Sequence, residues 1–206
     1  LRFWDKIATH RPDAFVAIST EVQKRIKKYY NRDSELIYPF IDTEFWKSSV
    51  SKQDYFLMAG RITPYKGYEA IIAIFNELQI PLHVVGEGRY SSYLKSIAKS
   101  NITFMGKVSD QVLRNQYSGA KAFIYPQVED FGLMPLEAAS CGTPAIALAQ
   151  AGSLETVIPK VTGELIDNFD FQTLSELISN WNPAQYQPEQ MKQHASQFSK
   201  QIFQDK

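Results

Sequence analysis

The stretch YFLMAGRITPYKGYEAIIAIFNEL (residues 55–78) joins a short apolar run to a helical pattern through a turn that contains Gly, Pro, Arg and Lys. The run YFLMAG lacks the polar alternation of a half-exposed strand, so it is typical of a strand buried on both faces. The segment YEAIIAIFNEL has the apolar spacing of a helix of about three turns. This stretch therefore predicts one βα unit of a parallel sheet.

The same pattern recurs along the middle of the chain. Further strand-like runs are LHVVG (82–86), ITFMG (102–106), KAFIYP (121–126), PAIALA (144–149) and GELI (163–166), and helical patterns follow the first four of these. Such an alternation predicts an α/β domain, a Rossmann-like doubly wound parallel sheet over about residues 50–180. Ligands of these sheets bind beyond the carboxyl ends of the strands. The loops to search are those after Gly60, Gly86, Gly106, Pro126 and Ala149.

Two flanking segments bracket this domain. Before it, FVAIS (15–19), the basic helical pattern EVQKRIKKYYNR (21–32) and ELIYP (35–39) predict a smaller unit. After it, a break punctuated by Pro and Asn leads to a predicted final helix, MKQHASQFSKQIFQ (191–204). Since the chain opens with Leu1 inside another helical pattern, we expect it to be a piece of a larger protein.

The composition limits the classes of partner. With 22 acidic and 22 basic residues the chain is formally neutral, which does not favour nucleic acid as a main partner. The single cysteine, Cys141, cannot form an internal disulfide, and neither a secretory signal nor an apolar run on the order of 18 residues is present. We therefore expect a cytoplasmic protein. The basic helix leaves open a peripheral contact with anionic lipid at the inner face of the membrane, beside the simpler reading of a solvated face.

The turn GRITPYKG (60–67) is the first candidate for chemistry. Arg61 and Lys66 flank Pro64, and a helix beginning near Lys66 would direct unpaired backbone N–H groups at the same space. Two cations beside a helix N-terminus predict a diphosphate site, although two solvated surface cations would produce the same pattern. In the turn after the next strand, Gly86 would allow close approach of a ligand or merely a tight turn. The dinucleotide fingerprint GxGxxG follows none of the strands.

The stretch VEDFGLMPLEAASCGTP (128–144) contains two carboxylates of different character. Pro135 suits the start of a helix, so we expect the helix to begin near Leu133 or Met134 and to place Glu137 in its first turn, where a carboxylate favours the helix dipole. Glu129 precedes this helix and lacks that explanation.

The turn EDFG (129–132) would leave backbone N–H groups free at Phe131, Gly132 and Leu133. Carboxylates that can accept from vicinal hydroxyls, beside N–H groups that can approach an anion, predict a sugar-and-phosphate site. The segment QAGSLETV (150–157) repeats the theme with Glu155 in a first helical turn, where a purely structural role is equally open.

With these motifs assembled, the chain resembles the nucleotide-binding half of retaining glycosyltransferases of family 4, whose GT-B arrangement has two facing Rossmann-like domains. The resemblance covers nearly the whole chain. Residues 17–46 look like the inter-domain crossing of that family, and the segments that follow in the family's order are GRITPYKG, VVGEGR, ITFMGKVSDQVL, EDFGLMPLEAASCGTPAIA, AGSLETV, TGELI and ASQFSKQIF.

This resemblance implies a division into three parts. Residues 1–45 would be the end of an N-terminal domain and the inter-domain crossing, residues 46–184 a Rossmann-like nucleotide-sugar-binding domain, and residues 185–206 a C-terminal helix that returns toward the N-terminal domain.

The resemblance also implies a role for each matching residue. Arg61 and Lys66 would bind the donor diphosphate and offset the charge on the departing nucleotide. Glu129 would contact the donor sugar near its reacting carbon, and Glu137 the ribose hydroxyls. The remaining donor contacts would come from Gly86, from backbone groups of Phe131, Gly132 and Leu133, from the base-binding loop of Gly106, Lys107 and Val108, and from Glu155. The family uses neither a metal ion nor a cofactor in this arrangement.

The activity implied is transfer of a hexose from a nucleoside-diphosphate sugar to a carbohydrate or lipid-linked acceptor, with retention at the anomeric carbon. YKG, EDFG and SLETV are most similar to bacterial mannosyltransferases that build surface polysaccharides, so GDP-mannose is the preferred donor over a UDP-sugar. Because the acceptor-binding domain is absent, we expect this chain to be inactive by itself. A nucleotide-sugar epimerase and a non-catalytic nucleotide-sugar-binding module are the alternatives.

Overall fold

Six parallel strands form the main sheet of the molecule, as the apolar runs predict. The computed structural model describes residues 2–206, apart from the side chains of residues 2, 3 and 6. Two short strands, β1 (Val16–Ala17) and β2 (Glu35–Leu36), pair in parallel as a separate sheet. The main sheet comprises β3 (Phe56–Ala59), β4 (Leu82–Val85), β5 (Ile102–Gly106), β6 (Phe123–Tyr125), β7 (Ala145–Leu148) and β8 (Gly163–Ile166).

Helices connect and flank these strands. The α-helices are α1 (Arg2–Ala8), α2 (Thr20–Tyr30), α3 (Tyr68–Leu78), α4 (Ser91–Ile97), α5 (Asp110–Gly119), α6 (Leu133–Ser140), α7 (Ser153–Thr156), α8 (Phe171–Ser179), α9 (Pro188–Ser196) and α10 (Lys200–Gln204). Short 3-10 helices occupy Pro64–Lys66 and Pro183–Gln185. Leu1, which the sequence places in the first helical pattern, lies outside the described residues. Within residues 2–206, no helix has both the length and the hydropathy needed to span a bilayer.

The order of strands in the main sheet is β5-β4-β3-β6-β7-β8. The chain therefore builds outward from β3 to β5, returns to the centre, and builds outward again from β6 to β8. This is the strand order of a Rossmann fold, in which the reversal leaves a crevice between the two central strands at their carboxyl ends. That crevice lies between β3 and β6, which pair at Leu57 and Phe123.

Alternate side chains of the central strand enter two separate cores. Phe56 and Met58 pack with α3, α4 and α8 on one face, while Leu57 and Ala59 pack with α5, α6 and α9 on the other. None of these four side chains is more than 5% exposed. Burial on both faces explains why the strand lacks polar alternation.

The first 45 residues pack against the carboxyl half of the main domain. Tyr38 stacks on Phe131 with ring centroids 5.3 Å apart, and its edge meets the ring of Phe198. A backbone hydrogen bond of 2.9 Å from Ile41 N to the Phe198 carbonyl oxygen adds a second connection.

The predicted final helix over residues 191–204 is wrong in one respect, because it is two helices. The chain leaves α9 after Ser196, buries Phe198 in the core, and pairs with Ile41 as a short parallel bridge at Ser199 before α10 begins. Since Phe198 uses its carbonyl oxygen to accept from Ile41, the helix cannot run through this point. Helix α9 packs on α6, where Met191 meets Ala139. A return of residues 185–206 toward another domain stays a prediction.

Candidate functional site

The loops after β3 and β6 meet at the crevice between these two strands. Lys66 Nζ lies 2.9 Å from Glu129 Oε1, and the two side chains are 14% and 38% exposed. The backbones are also close, because a Cβ on Gly67 would lie 2.9 Å from Pro126 Cβ. Gly67 has a φ of 73°, which favours glycine. The topology thus brings together a cation and a carboxylate that the sequence had assigned to two different loops.

Arg61 stands at the start of the β3 loop with its guanidinium in solvent. It is exposed and forms neither a hydrogen bond nor an ion pair with any residue that the structure describes. A 3-10 turn at Pro64–Lys66 comes first and α3 begins at Tyr68, slightly later than the sequence predicted. Because no side chain caps α3, the N–H groups of its first turn also point toward this loop. Arg61 is therefore available to an anion, whereas Lys66 is paired with Glu129.

The β6 loop presents its backbone to the crevice and hides its aromatic ring. Phe131 is 3% exposed, because its ring packs between Tyr38 and Phe198. Gly132 follows in the left-handed region at φ 88° and starts α6 without a side-chain cap. The first N–H groups of the helix, from Leu133 onward, have no partner within the helix. What this loop can offer a ligand is therefore backbone N–H, as the sequence predicted.

Glu137 is in the second turn of α6, and its predicted place in the first turn is wrong. The helix begins at Leu133, so Pro135 is its third residue and Glu137 its fifth. The predicted start of the helix near Leu133 is confirmed, but Glu137 lies just past the first turn. The helix dipole consequently does not explain this carboxylate.

Glu137 is partly buried and accepts a hydrogen bond from one hydroxyl group. Tyr117 donates its O–H to Glu137 Oε2 at 3.2 Å. Burial raises the pKa of Glu137 from 4.5 to about 7, and the hydrogen bond from Tyr117 opposes this shift. Because burial disfavours the charged form, keeping this carboxylate ionised costs free energy, and groups with such raised pKa values cluster at functional sites.

Glu155 lies in the first turn of α7, as predicted, but its carboxylate has protein partners. Both of its oxygens accept from Thr20 N, at 3.0 and 3.1 Å. Tyr38 donates its hydroxyl to Oε2 at 2.8 Å. These bonds hold the N-terminus of α2 and the segment after β2 against the main domain. A contact between Glu155 and a donor stays a prediction.

Backbone hydrogen bonds at the start of the loops after β3, β4 and β5 continue the parallel pairing of the sheet beyond the strand ends. Gly60 N donates to the Val85 carbonyl oxygen at 3.0 Å, and Gly86 N donates to that of Gly106 at 2.8 Å. A Cβ on Gly86 would lie 1.9 Å from the carbonyl oxygen of Gly60, so only glycine fits there. Close packing of backbones thus explains Gly86 without a ligand. In the next loop, Lys107 is exposed and Val108 packs against the core.

Two residues of this edge were missed from the sequence. Glu87, within the GEG turn, lines an open cavity of about 520 Å³ together with Arg61, Gly88, Arg89, Ser91 and Lys95. An acidic residue in a glycine turn directly after a strand is a signal that could have identified it. The hydroxyl of Tyr68 is buried and has no partner among the described residues. Its position under Gly60, where a Cβ would be 3.4 Å from the hydroxyl oxygen, has no signal in the helical pattern.

In chemical terms, the crevice combines a cation, a carboxylate and uncapped N–H groups, and the exposed Arg61 lies in the loop after β3 at the same edge of the sheet. Such a set can bind a diphosphate through the cations and N–H groups, and hydroxyl groups through the carboxylate. Among residues 2–206, His, Cys, Asp and Glu side chains do not form a group of three or more that could hold a metal ion.

Comparison of the sequence with known families identifies most of the chain. Residues 40–198 match the family model described as "Glycosyl transferases group 1". The GDP-mannose-dependent monoacylated alpha-(1-6)-phosphatidylinositol monomannoside mannosyltransferase of Corynebacterium glutamicum is 34% identical over 134 residues, which are 57% of this chain and 35% of that protein. The O-antigen chain mannosyltransferase RfbU of Salmonella typhimurium is 30% identical over 157 residues, which are 70% and 44%. The matches span less than half the length of these two relatives.

Comparison of the structure with solved structures identifies the fold. The crystal structure of Anabaena Alr3699/HepE in complex with UDP-glucose has a TM-score of 0.85 and 20% sequence identity, and the match covers 99% of this chain and 65% of that one. This likeness confirms the predicted α/β fold with a parallel sheet, which is that of GT-B glycosyltransferases.

Proposed function

The chain belongs to the glycosyl transferases group 1 family, and on this basis we propose that it is the donor-binding half of a retaining glycosyltransferase of family 4. The proposed reaction moves mannose from GDP-mannose to a carbohydrate or lipid-linked acceptor. Support for mannose comes from the two mannosyltransferases described above, one of which is named as GDP-mannose-dependent. The complex of the Anabaena protein with UDP-glucose supports a nucleotide-sugar as the class of donor.

The Lys66–Glu129 pair at the strand reversal is the observation that supports this proposal most directly. Its ammonium and carboxylate groups are 2.9 Å apart at the place where Rossmann folds bind their ligands. A nucleotide-sugar presents a diphosphate next to a sugar, and this pair presents a cation next to a carboxylate. The Lys66 ammonium can therefore face the diphosphate, and the Glu129 carboxylate can face the sugar.

At the phosphate end, Arg61 and Lys66 would bind the diphosphate. Cleavage of the bond between the sugar and the phosphate leaves additional negative charge on the departing GDP, and fixed cations stabilise that charge in the transition state. Arg61 is free of other partners in the described structure, and Lys66 would exchange part of its contact with Glu129 for the phosphate.

At the sugar end, Glu129 would accept from hydroxyl groups of the mannose near its reacting carbon. The uncapped N–H groups at the start of α6 would donate to sugar hydroxyl or phosphate oxygens. Glu137 would accept from the ribose hydroxyls, and it would accept best above its pKa, which partial burial raises to about 7. Ionised Glu137 can accept from two hydroxyl groups, whereas the protonated group loses part of that capacity.

The chain by itself would bind the donor without transferring the sugar. Its matches cover 35% and 44% of the two mannosyltransferases, so the remaining part of such an enzyme would bind the acceptor and close the cleft. An open cleft leaves the reacting carbon in contact with water. We place the complete protein in the cytoplasm, and the basic helix α2 is where a peripheral contact with an anionic membrane surface would form.

Calorimetric titration with GDP, UDP and ADP tests the donor site. Replacement of Lys66 or Glu137 by Ala removes a charge-assisted contact, so the affinity for GDP should fall tenfold or more, on the order of 1.4 kcal/mol. Lys121→Ala is the matched control, since Lys121 forms a similar ion pair of 2.8 Å with Asp54 outside the crevice. Unchanged GDP affinity in both Lys66→Ala and Glu137→Ala would refute the site assignment.

Retention is tested with the full-length protein and GDP-mannose. NMR of the product should show that the transferred mannose keeps the anomeric configuration that it has in the donor. An inverted product would remove the protein from the retaining class without affecting the donor site.

A further inference from the structure

Glu87 is clamped between the loops that follow β3 and β5. Its carbonyl oxygen accepts from Ile62 N at 3.0 Å, while Gly86 N donates to the Gly106 carbonyl oxygen at 2.8 Å. On its other side, Gly88 is so close to the β3 loop that a Cβ there would lie 1.9 Å from the carbonyl oxygen of Ile62. The backbone at Glu87 is therefore held in place from both neighbouring loops.

The side chain of Glu87 has no partner of its own. Its Oε1 lies 3.3 Å from the point where a Cβ on Gly106 would stand, so the carboxylate covers this glycine. It forms no ion pair or hydrogen bond within the described part of the chain, although Arg61 and Arg89 line the same open cavity of about 520 Å³. An exposed carboxylate on a fixed backbone is thus left available to a ligand.

We propose that Glu87 determines which nucleobase the donor carries, and that it favours guanine over uracil and adenine. This inference rests on the proposed function, in which Arg61 binds the diphosphate. Arg61 and Glu87 line one cavity, so a donor whose diphosphate binds Arg61 would have its nucleoside within reach of Glu87. Gly106, which Glu87 covers, begins the loop predicted to lie against the base.

The selection follows from the pattern of donors on each base. An ionised carboxylate only accepts hydrogen bonds, and its two oxygens lie side by side. Guanine presents N1–H and the N2 amino group side by side, so it can make two charge-assisted bonds to one carboxylate. Uracil presents one N–H between two carbonyl oxygens, and adenine one amino group beside a bare ring nitrogen. Each of these two bases would place one of its own acceptors against a carboxylate oxygen. The resulting repulsion selects against uracil and adenine.

Isosteric replacement Glu87→Gln converts one of the two acceptors into a donor. An amide matches xanthine, which has a carbonyl oxygen at the position of the guanine amino group. We expect Glu87→Gln to bind GDP at least about tenfold more weakly than the wild type, and xanthosine diphosphate at least about tenfold more tightly. The preference for GDP over UDP should shrink in the same variant. Calorimetric titration of the chain with the three nucleotides measures all of these changes.

Two controls make the result specific. Glu77→Gln removes the same charge from an exposed carboxylate on α3, and should leave the order of the nucleotides unchanged. Inosine diphosphate, which lacks the amino group of guanine, should bind the wild type about tenfold more weakly than GDP. The second control needs no variant, so it does not depend on how Glu87→Gln folds.

The outcomes separate this inference from the proposed function. Equal binding of GDP and inosine diphosphate by the wild type would overturn the role of Glu87, and so would an unchanged order of nucleotides in Glu87→Gln. An equal loss of all three nucleotides in that variant would also overturn it. If GDP, UDP and ADP all fail to bind the wild type, the proposed function is wrong and the inference falls with it.

Discussion

Glu129 and Glu155 follow neighbouring strands, β6 and β7, at the same edge of the sheet, but they have different partners. Glu129 contacts the ammonium group of Lys66, and 38% of its own side chain is exposed. Glu155 accepts from the backbone of Thr20 and from the hydroxyl of Tyr38. One carboxylate faces a solvent-accessible crevice, and the other belongs to an internal contact between two parts of the chain.

This difference shows that the edge of the sheet alone does not identify a binding residue. The carboxyl ends of parallel strands bring many polar groups together, and some of them bind the protein itself. A partner that can be exchanged for a ligand, such as the Lys66 ammonium, distinguishes the crevice. A fixed backbone N–H and a tyrosine hydroxyl distinguish the contact at Glu155. Replacing Glu137 should therefore raise the free energy of unfolding near neutral pH, whereas replacing Glu155 should lower it.

Glu137, beside the crevice, should lower the stability of the folded chain near neutral pH. Its folded pKa of about 7 lies above the ordinary value of 4.5, so the folded state holds the proton more tightly than the unfolded state between these values. Stability therefore falls as the pH rises from about 4.5 through about 7, and the full cost, about 3 kcal/mol at most, is present above pH 7.

Replacement Glu137→Gln removes this cost, so the variant should be more stable than the wild type at pH 8 and nearly equal to it at pH 5. Urea unfolding at both pH values measures the difference. A difference of equal size at the two values would show that the charge of Glu137 is not its cause.

Glu155 should show the opposite sign. Replacement Glu155→Ala leaves the Thr20 N–H and the Tyr38 hydroxyl without their charged acceptor, so the free energy of unfolding should drop by about 2 kcal/mol. The affinity for GDP should stay within about twofold of the wild type. Urea unfolding and calorimetry on one preparation measure both quantities. Unchanged stability combined with a large loss of GDP affinity would move Glu155 into the donor site.

The Arg25–Asp130 ion pair connects α2 to the turn next to Glu129 and should matter least. Its atoms are 2.8 Å apart, but the two side chains are 46% and 49% exposed. Exposed pairs contribute little, so Arg25→Ala should change the free energy of unfolding by less than about 1 kcal/mol. It should also leave GDP affinity unchanged. A strong effect on affinity would mean that the first 45 residues help to shape the β6 loop.

The main sheet was predictable because its strands are mostly apolar runs without polar alternation, each but the last followed by a helical pattern. The doubly wound class was predicted too, but not the pair at which the strand order reverses, because β3 pairs with β6 across two intervening βα units. The start of α6 near Leu133 was predictable, but Glu137 is its fifth residue and so lies just past the predicted first turn.

The partners of Glu155 were equally inaccessible from the sequence, because Thr20 and Tyr38 lie 135 and 117 positions away along the chain. The break in the last helix has the same origin, a pairing with the distant Ile41. Local patterns thus predicted the elements and the candidate residues. Contacts between distant segments decided which of those residues remain available to a ligand.

Backbone amide NMR with added GDP tests most directly the claim that the crevice between β3 and β6 is the donor site. The largest shifts should fall on the loop after β3, from Arg61 to Gly67, and on the first turn of α6. The amides of Thr20 and Glu155 should change little, because their contacts are internal. The largest shifts at Thr20 and Glu155, with the two crevice loops unaffected, would contradict the account.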